Sequence, residues 1–124
     1  MNQVESKRIL VADDSDTITT LLTTALTSHG YTVVTARDGV ETYELGRSGD
    51  IDLAIIDHLM PGLLGLEVIE RWRAEGVDLP VIVLSGVDDE KTAIASLDVG
   101  AVDFVRKPFR LNELMARVRQ RISA

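Results

Sequence analysis

At 124 residues without a cysteine, the chain has the size of one domain and can form neither disulfides nor thiolate metal sites. Thirteen basic residues face twenty acidic ones, a net charge of −7 that speaks against a nucleic-acid-binding face, which needs clustered Lys and Arg. A hydrophobic share of 45% with 4% aromatics excludes a disordered acidic tail and calls for an aliphatic core. From the N-terminus, Met1 to Arg8 is polar, and the four apolar residues that follow are too few for a signal peptide. The longest apolar runs fall far short of a membrane span. One soluble, cytoplasmic domain over residues 1–124 is expected.

In chain order, five short apolar runs stand out: Arg8–Ala12, Tyr31–Ala36, Ile51–Ile56, Pro80–Leu84 and Val102–Arg106. Several are nearly continuous Val, Ile, Leu and Ala, the pattern of strands buried on both faces in a parallel sheet. After the first run, Ile18, Leu21, Leu22, Ala25 and Leu26 form one helical stripe, with Ser15 or Asp16 as cap and Gly30 as stop. Val40–Arg47 makes a weaker helix because it contains Gly46. Leu64–Ala74 and the segment from Asp88-Asp89 to Leu97 follow, stopped by Gly76 and Gly100. Leu111, Leu114, Met115, Val118 and Ile122 share one face of the last helix. Strand and helix alternate five times, and short crossovers require parallel strands with helices on both faces. The expected fold is α/β, a three-layer doubly wound sandwich.

In such a sheet, a site lies at the carboxyl ends of the strands. There the first strand is followed by Asp13-Asp14, the third by Asp57, the fourth by Ser85 and the fifth by Lys107-Pro108. Clustered carboxylates repel one another unless a cation sits among them, and Mg²⁺ suits a site of few carboxylates and several waters. Asp13-Asp14 would also serve as a helix N-cap pair. Asp57 lacks such an explanation, because a charge ending a buried run needs a reason. A carboxylate beside a metal can attack phosphorus and form an acyl phosphate. Catalysis is then mostly positioning and charge, which Mg²⁺, Lys107 and Ser85 would supply to the phosphoryl oxygens. The Lys107-Pro108 bond is a candidate for the cis form. His58 reads as a polar loop residue bordering the pocket, and Pro61, Gly62 and Gly65 as turn residues.

The acidic pair, Asp57 in Asp57-His58-Leu59-Met60-Pro61, Gly65, Ser85 and Lys107-Pro108-Phe109 together resemble the receiver domain of two-component response regulators. The likeness runs from Ile9 to Ile122. It implies a flavodoxin-like, five-stranded sheet of order 2-1-3-4-5 with five helices, and a phosphorylation-activated switch rather than an enzyme of metabolism. It implies that Asp57 is the phosphoacceptor, served by a histidine kinase or phosphotransfer protein. Asp14, Asp57 and the Leu59 carbonyl would hold Mg²⁺, with Asp13 acting through water. Lys107 would pair with the phosphoryl group, while Ser85 and Phe104 would form the switch that alters the face of the fourth helix, fifth strand and fifth helix. The sequence stops soon after the last helix, so no output domain is expected on it, the output being a separate partner or the domain being cut from a longer protein. Charge and run length give no direct nucleic-acid or membrane contact, and a monomer or weak homodimer is expected.

Two departures from the usual pattern are visible. Leu59 and Val87 are apolar where many relatives are polar, so slowed or reshaped autodephosphorylation is expected. Arg110 stands where a helix cap would be, either losing the cap or serving a partner surface. Among rivals, a dehalogenase-like phosphatase expects a nucleophilic Asp two residues before a second Asp after the first strand, whereas Asp13 and Asp14 are adjacent. A dinucleotide-binding module needs Gly-x-Gly-x-x-Gly where the chain has Asp13-Asp14-Ser15-Asp16. The remaining alternative is a receiver-like interaction module that is not phosphorylated.

Overall fold

Five parallel strands form the middle layer of the computed structural model, which describes residues 6–86 and 90–122. The chain runs β1 (Arg8–Ala12), α1 (Asp16–Ser28), β2 (Thr32–Ala36), α2 (Gly39–Arg47), β3 (Leu53–Asp57), α3 (Gly65–Ala74), β4 (Val81–Ser85), α4 (Glu90–Asp98), β5 (Asp103–Arg106) and α5 (Leu111–Ile122). The strand order is β2-β1-β3-β4-β5, as the resemblance implies. The expected roles of Val87, Asp88 and Asp89 lie outside the described residues.

The aliphatic runs are continuous because successive side chains enter different cores. Ile9 and Val11 of β1 point to one side, where Leu22 and Leu26 of α1 and Leu114, Met115 and Val118 of α5 cover them. Leu10 and Ala12 point to the other, against Val68, Ile69 and Trp72 of α3. Each fully buried Leu, Ile or Val contributes about 1.5–3 kcal/mol, so the two faces together hold the sheet. Ser15 caps α1 by accepting from the Ile18 N–H at 3.3 Å. Gly30 leaves α1 at φ +91°, a conformation that favours glycine.

The strand boundaries differ from the sequence reading. Tyr31 belongs to the α1 terminus, since its N–H bonds the Leu26 carbonyl at 3.1 Å. β3 starts at Leu53, and Asp52 ahead of it is tied to β1 by its N–H to the Arg8 carbonyl at 2.8 Å and by its carboxylate accepting from the Arg8 N–H at 2.7 Å. β3 and β4 also extend one residue further, pairing Asp57 with Leu84 and Ser85 with Arg106. Asp57 and Ser85 are thereby the last members of their strands. Gly46, a liability for helix propensity, has a packing reason. A Cβ there would lie 2.1 Å from the Trp72 ring, so glycine is what lets α2 approach α3.

Candidate functional site at the strand carboxyl ends

The site is assembled from four strand ends. Asp13 follows β1 and is buried, its backbone N–H bonded to the Ala36 carbonyl at 3.1 Å. Its carboxylate accepts from the Ser15 N–H and from the Lys107 ammonium, each at 2.9 Å. Asp14 is exposed. Asp57 ends β3 with 6% exposure, its Oδ2 3.3 Å from Lys107 Nζ and its Oδ1 accepting from the Leu59 N–H at 3.4 Å. Carboxylate oxygens of Asp13, Asp14 and Asp57 all lie within 4.8 Å of one another. Lys107 precedes a cis peptide bond to Pro108, and its own N–H bonds the Ser85 carbonyl at 2.8 Å.

Burial and neighbouring charge together shift Asp57 and Lys107. Burial, then the neighbouring Asp13 carboxylate, push the Asp57 carboxyl above its ordinary range, and the Lys107 ammonium only partly offsets them. Burial alone would lower Lys107, yet its hydrogen bond to Asp13 and the charges of Asp57 and Asp13 leave it raised. The ammonium is therefore fixed and charged between two carboxylates. With three hard oxygen donors crowded together and one of them open to solvent, the residues fit a hard divalent cation such as Mg²⁺.

The remaining predicted residues fall into place unevenly. Ser85 is fully buried at the end of β4. Phe104 is half-buried on β5 and packs at the margin of the α3-side core. His58 corrects the sequence reading. It lies in the loop just past β3, as expected, but is buried at 8% exposure rather than a polar residue open to the pocket, its N–H continuing the ladder to the Leu84 carbonyl at 2.9 Å. Its Nδ1 has no hydrogen-bond partner among the described residues, and burial lowers its pKa. Leu59 is half-exposed beside the site. Gly62 takes φ +89° in the β3–α3 turn. At Gly65 a Cβ would sit 3.0 Å from His58 Cα and 3.1 Å from the Asp57 carbonyl oxygen, so this glycine closes the turn against the end of β3.

The profile of the response regulator receiver domain matches residues 9–119. This chain belongs to the response regulator receiver domains. The receiver is 46% identical over 114 residues to response regulator MprA of Mycobacterium ulcerans, an alignment covering 92% of this chain and 49% of that protein. Its fold is similar to that of the Francisella response regulator 1452 receiver domain, with TM-score 0.90, 32% identity, and coverage of 95% of this chain and 98% of the other. It also resembles CheY in the CheX–CheY–BeF3–Mg complex of Borrelia burgdorferi, with TM-score 0.86, 27% identity, and coverage of 92% and 87%. A third similar structure is the BeF3-activated N-terminal receiver domain of Klebsiella pneumoniae RstA, with TM-score 0.88, 26% identity, and coverage of 95% and 100%.

The receiver spans about half the length of the curated relatives it matches. The expectation of no nucleic-acid contact therefore concerns these 124 residues and is not extended to a longer protein. No described helix is long and apolar enough to cross a membrane. The sequence reading missed the direct bond between Lys107 and Asp13, which lie 94 positions apart. No local pattern could have shown it. It also missed the Asp103–Arg117–Glu113 cluster, although Glu113 and Arg117 stand at the helical spacing that invites an ion pair.

Proposed function

We propose that this receiver accepts a phosphoryl group on Asp57 from the phosphohistidine of a histidine kinase or phosphotransfer protein. The observation that carries the reading is a charged ammonium, Lys107, held 3.3 Å from a strand-end carboxylate inside a three-carboxylate cluster. An Asp57 oxygen would attack phosphorus as the phosphorus–nitrogen bond breaks, and the imidazole would leave, taking a proton. An acyl phosphate results. Lys107 would turn from Asp13 and Asp57 to the phosphoryl oxygens that carry the transferring charge. The Ser85 hydroxyl would follow toward another oxygen, and Phe104, paired with Val83 on the neighbouring strand, would change its packing. A local charge event would thus bias a two-state equilibrium of the α4–β5–α5 face.

Asp14 and Asp57 would hold Mg²⁺ together with the Leu59 carbonyl, and Asp13 would act through water. A divalent cation bound there supplies positive charge for the carboxylates and for the incoming phosphoryl group. The BeF3 and Mg named for the Borrelia relative, and the BeF3 named for the Klebsiella one, support this reading, since each relative shares the fold and more than a quarter of its sequence with this chain.

The test is intact mass after incubation with acetyl phosphate, with and without Mg²⁺, for the wild type and Asp57→Asn. The expected result is a Mg²⁺-dependent gain of one phosphoryl group, about 80 Da as for a single aspartyl phosphate, absent in the variant. No gain from a folded, Mg²⁺-binding protein would point to an interaction module controlled by something other than phosphate.

A further inference from the structure

Asp, Glu, Lys and Arg make up 27% of this chain, yet the twenty residues from Thr17 to Ala36 contain none of them, and no other charge-free stretch exceeds nine. The stretch covers nearly all of α1 and the whole of β2. Burial explains only part of it, because Thr20, Leu21, Thr24, Thr27, Thr32 and Thr35 are exposed. β2 is also one edge of the sheet. The Thr32 N–H bonds the Lys7 carbonyl at 2.9 Å and the Ala36 carbonyl accepts from the Asp13 N–H at 3.1 Å, so residues 32, 34 and 36 face β1. Backbone direction alternates along a strand. The N–H and C=O groups of Val33 and Thr35 therefore point away from the sheet and meet no partner among the described residues. The opposite edge, β5, carries Asp103 and Arg106, charges of the kind that keep strand edges apart. β2 has neither a charge nor a proline.

We propose that β2 pairs with β2 of a second copy, antiparallel about a two-fold axis through Val34, joining the two sheets into one. The outward-facing groups set this register. With Val33 of each copy opposite Thr35 of the other, every outward N–H and C=O of both residues is used. A register slipped by two would oppose one of them to Tyr31 or Arg37, whose N–H groups already bond Leu26 and Glu41. A second copy is favoured over another protein because this edge is complementary to itself. Two chains of net charge −7 also approach most readily where neither presents a charge. The axis stands perpendicular to the sheet, so it brings the two α1 helices to the same face, where their exposed Thr and Leu side chains meet no like charge. The pairing is independent of the phosphoacceptor reading, since β1 stands between β2 and the strand that bears Asp57.

The test is sedimentation velocity over a concentration series, in chelator and without a phosphoryl donor. A monomer–dimer equilibrium is expected, and it should strengthen with added salt, which screens the repulsion between two acidic copies. Thr35→Pro removes one outward donor from each copy without touching the ladder to β1, a place where an edge strand tolerates proline. It should raise the dissociation constant about tenfold, as for the loss of two hydrogen bonds. Thr35→Lys should weaken the dimer as well, whereas Ala74→Lys, the same charge change on the exposed side of α3, should not. Circular dichroism checks that each variant is folded. Oxidative cross-linking reads the register, because the chain has no cysteine of its own. Val34→Cys sets two thiols directly opposite each other and should give a disulfide-linked dimer. Thr35→Cys is more exposed but lies diagonally across the axis from its counterpart, so it should lag well behind. A monomer up to millimolar concentration would overturn the proposal. So would a dimer indifferent to both Thr35→Pro and Thr35→Lys, or faster cross-linking of Thr35→Cys than of Val34→Cys. If Val34→Cys fails to fold, the proline and lysine variants decide alone.

Discussion

At Asp57, three influences compete, and burial with the Asp13 charge outweighs the attraction of Lys107. The folded state therefore favours the protonated carboxyl more than the unfolded chain does. That stabilisation is complete below the ordinary carboxylate pKa and is lost as pH rises through the raised folded value. At neutral pH, without metal, the native protein bears the cost of ionised carboxylates held close together. Asp57→Asn removes one of them with little change in volume, so in chelator at neutral pH it should melt a few degrees higher, about 1 kcal/mol. The gap should close as the pH is lowered through the raised pKa. A lower melting temperature for the variant at neutral pH would mean that the attraction of Lys107 outweighs the burial and repulsion that Asp57 suffers.

The elements show where propensity and packing disagree. Gly46 should weaken α2, and it does so in exchange for an approach to Trp72 that no side chain permits, with the Trp72 indole N–H donating to the Tyr43 carbonyl at 3.0 Å. Gly46→Ala improves intrinsic propensity by about 1 kcal/mol and places a methyl inside the ring. Overpacking of this kind costs about 1–3 kcal/mol, and with the overlap this deep the upper end should prevail. Urea denaturation should show a net loss of roughly 2 kcal/mol, accompanied by a change in tryptophan fluorescence. Partial recovery in Gly46→Ala/Trp72→Phe would assign the loss to this contact.

For the molecule as a whole, metal binding at the carboxylate cluster would be linked to folding. The three acids come from the β1 and β3 ends, so their spacing exists only when the sheet is assembled. A ligand that binds only the native state stabilises it by about 1.4 kcal/mol at ten times its dissociation constant. The melting temperature of the wild type should rise with Mg²⁺, and Asp14→Asn should flatten that rise. An undiminished Mg²⁺ effect in Asp14→Asn would remove Asp14 from the ligand set.

Much of this architecture was legible in the residues themselves. Continuous aliphatic runs such as Leu53-Ala54-Ile55-Ile56 mean strands covered on both sides, and helical stripes such as Leu114, Met115, Val118 and Ile122 supply the cover. Side-chain periodicity is a local property, so it survives in the one-dimensional chain. Asp57 stood out for the same local reason, a charge ending a buried run. Pairings between distant positions were not legible. Lys107 gripping Asp13, Trp72 requiring Gly46, Gly65 pressed on the His58 backbone, and the burial of His58 itself depend on which segments the sheet brings together. So does the gathering of arginines from β5 and α5 around two phenylalanine rings. Local chemistry determined which elements form and which residues can react. Their distances, burial and charge balance were decided only by tertiary packing, because each depends on neighbours far apart in the sequence.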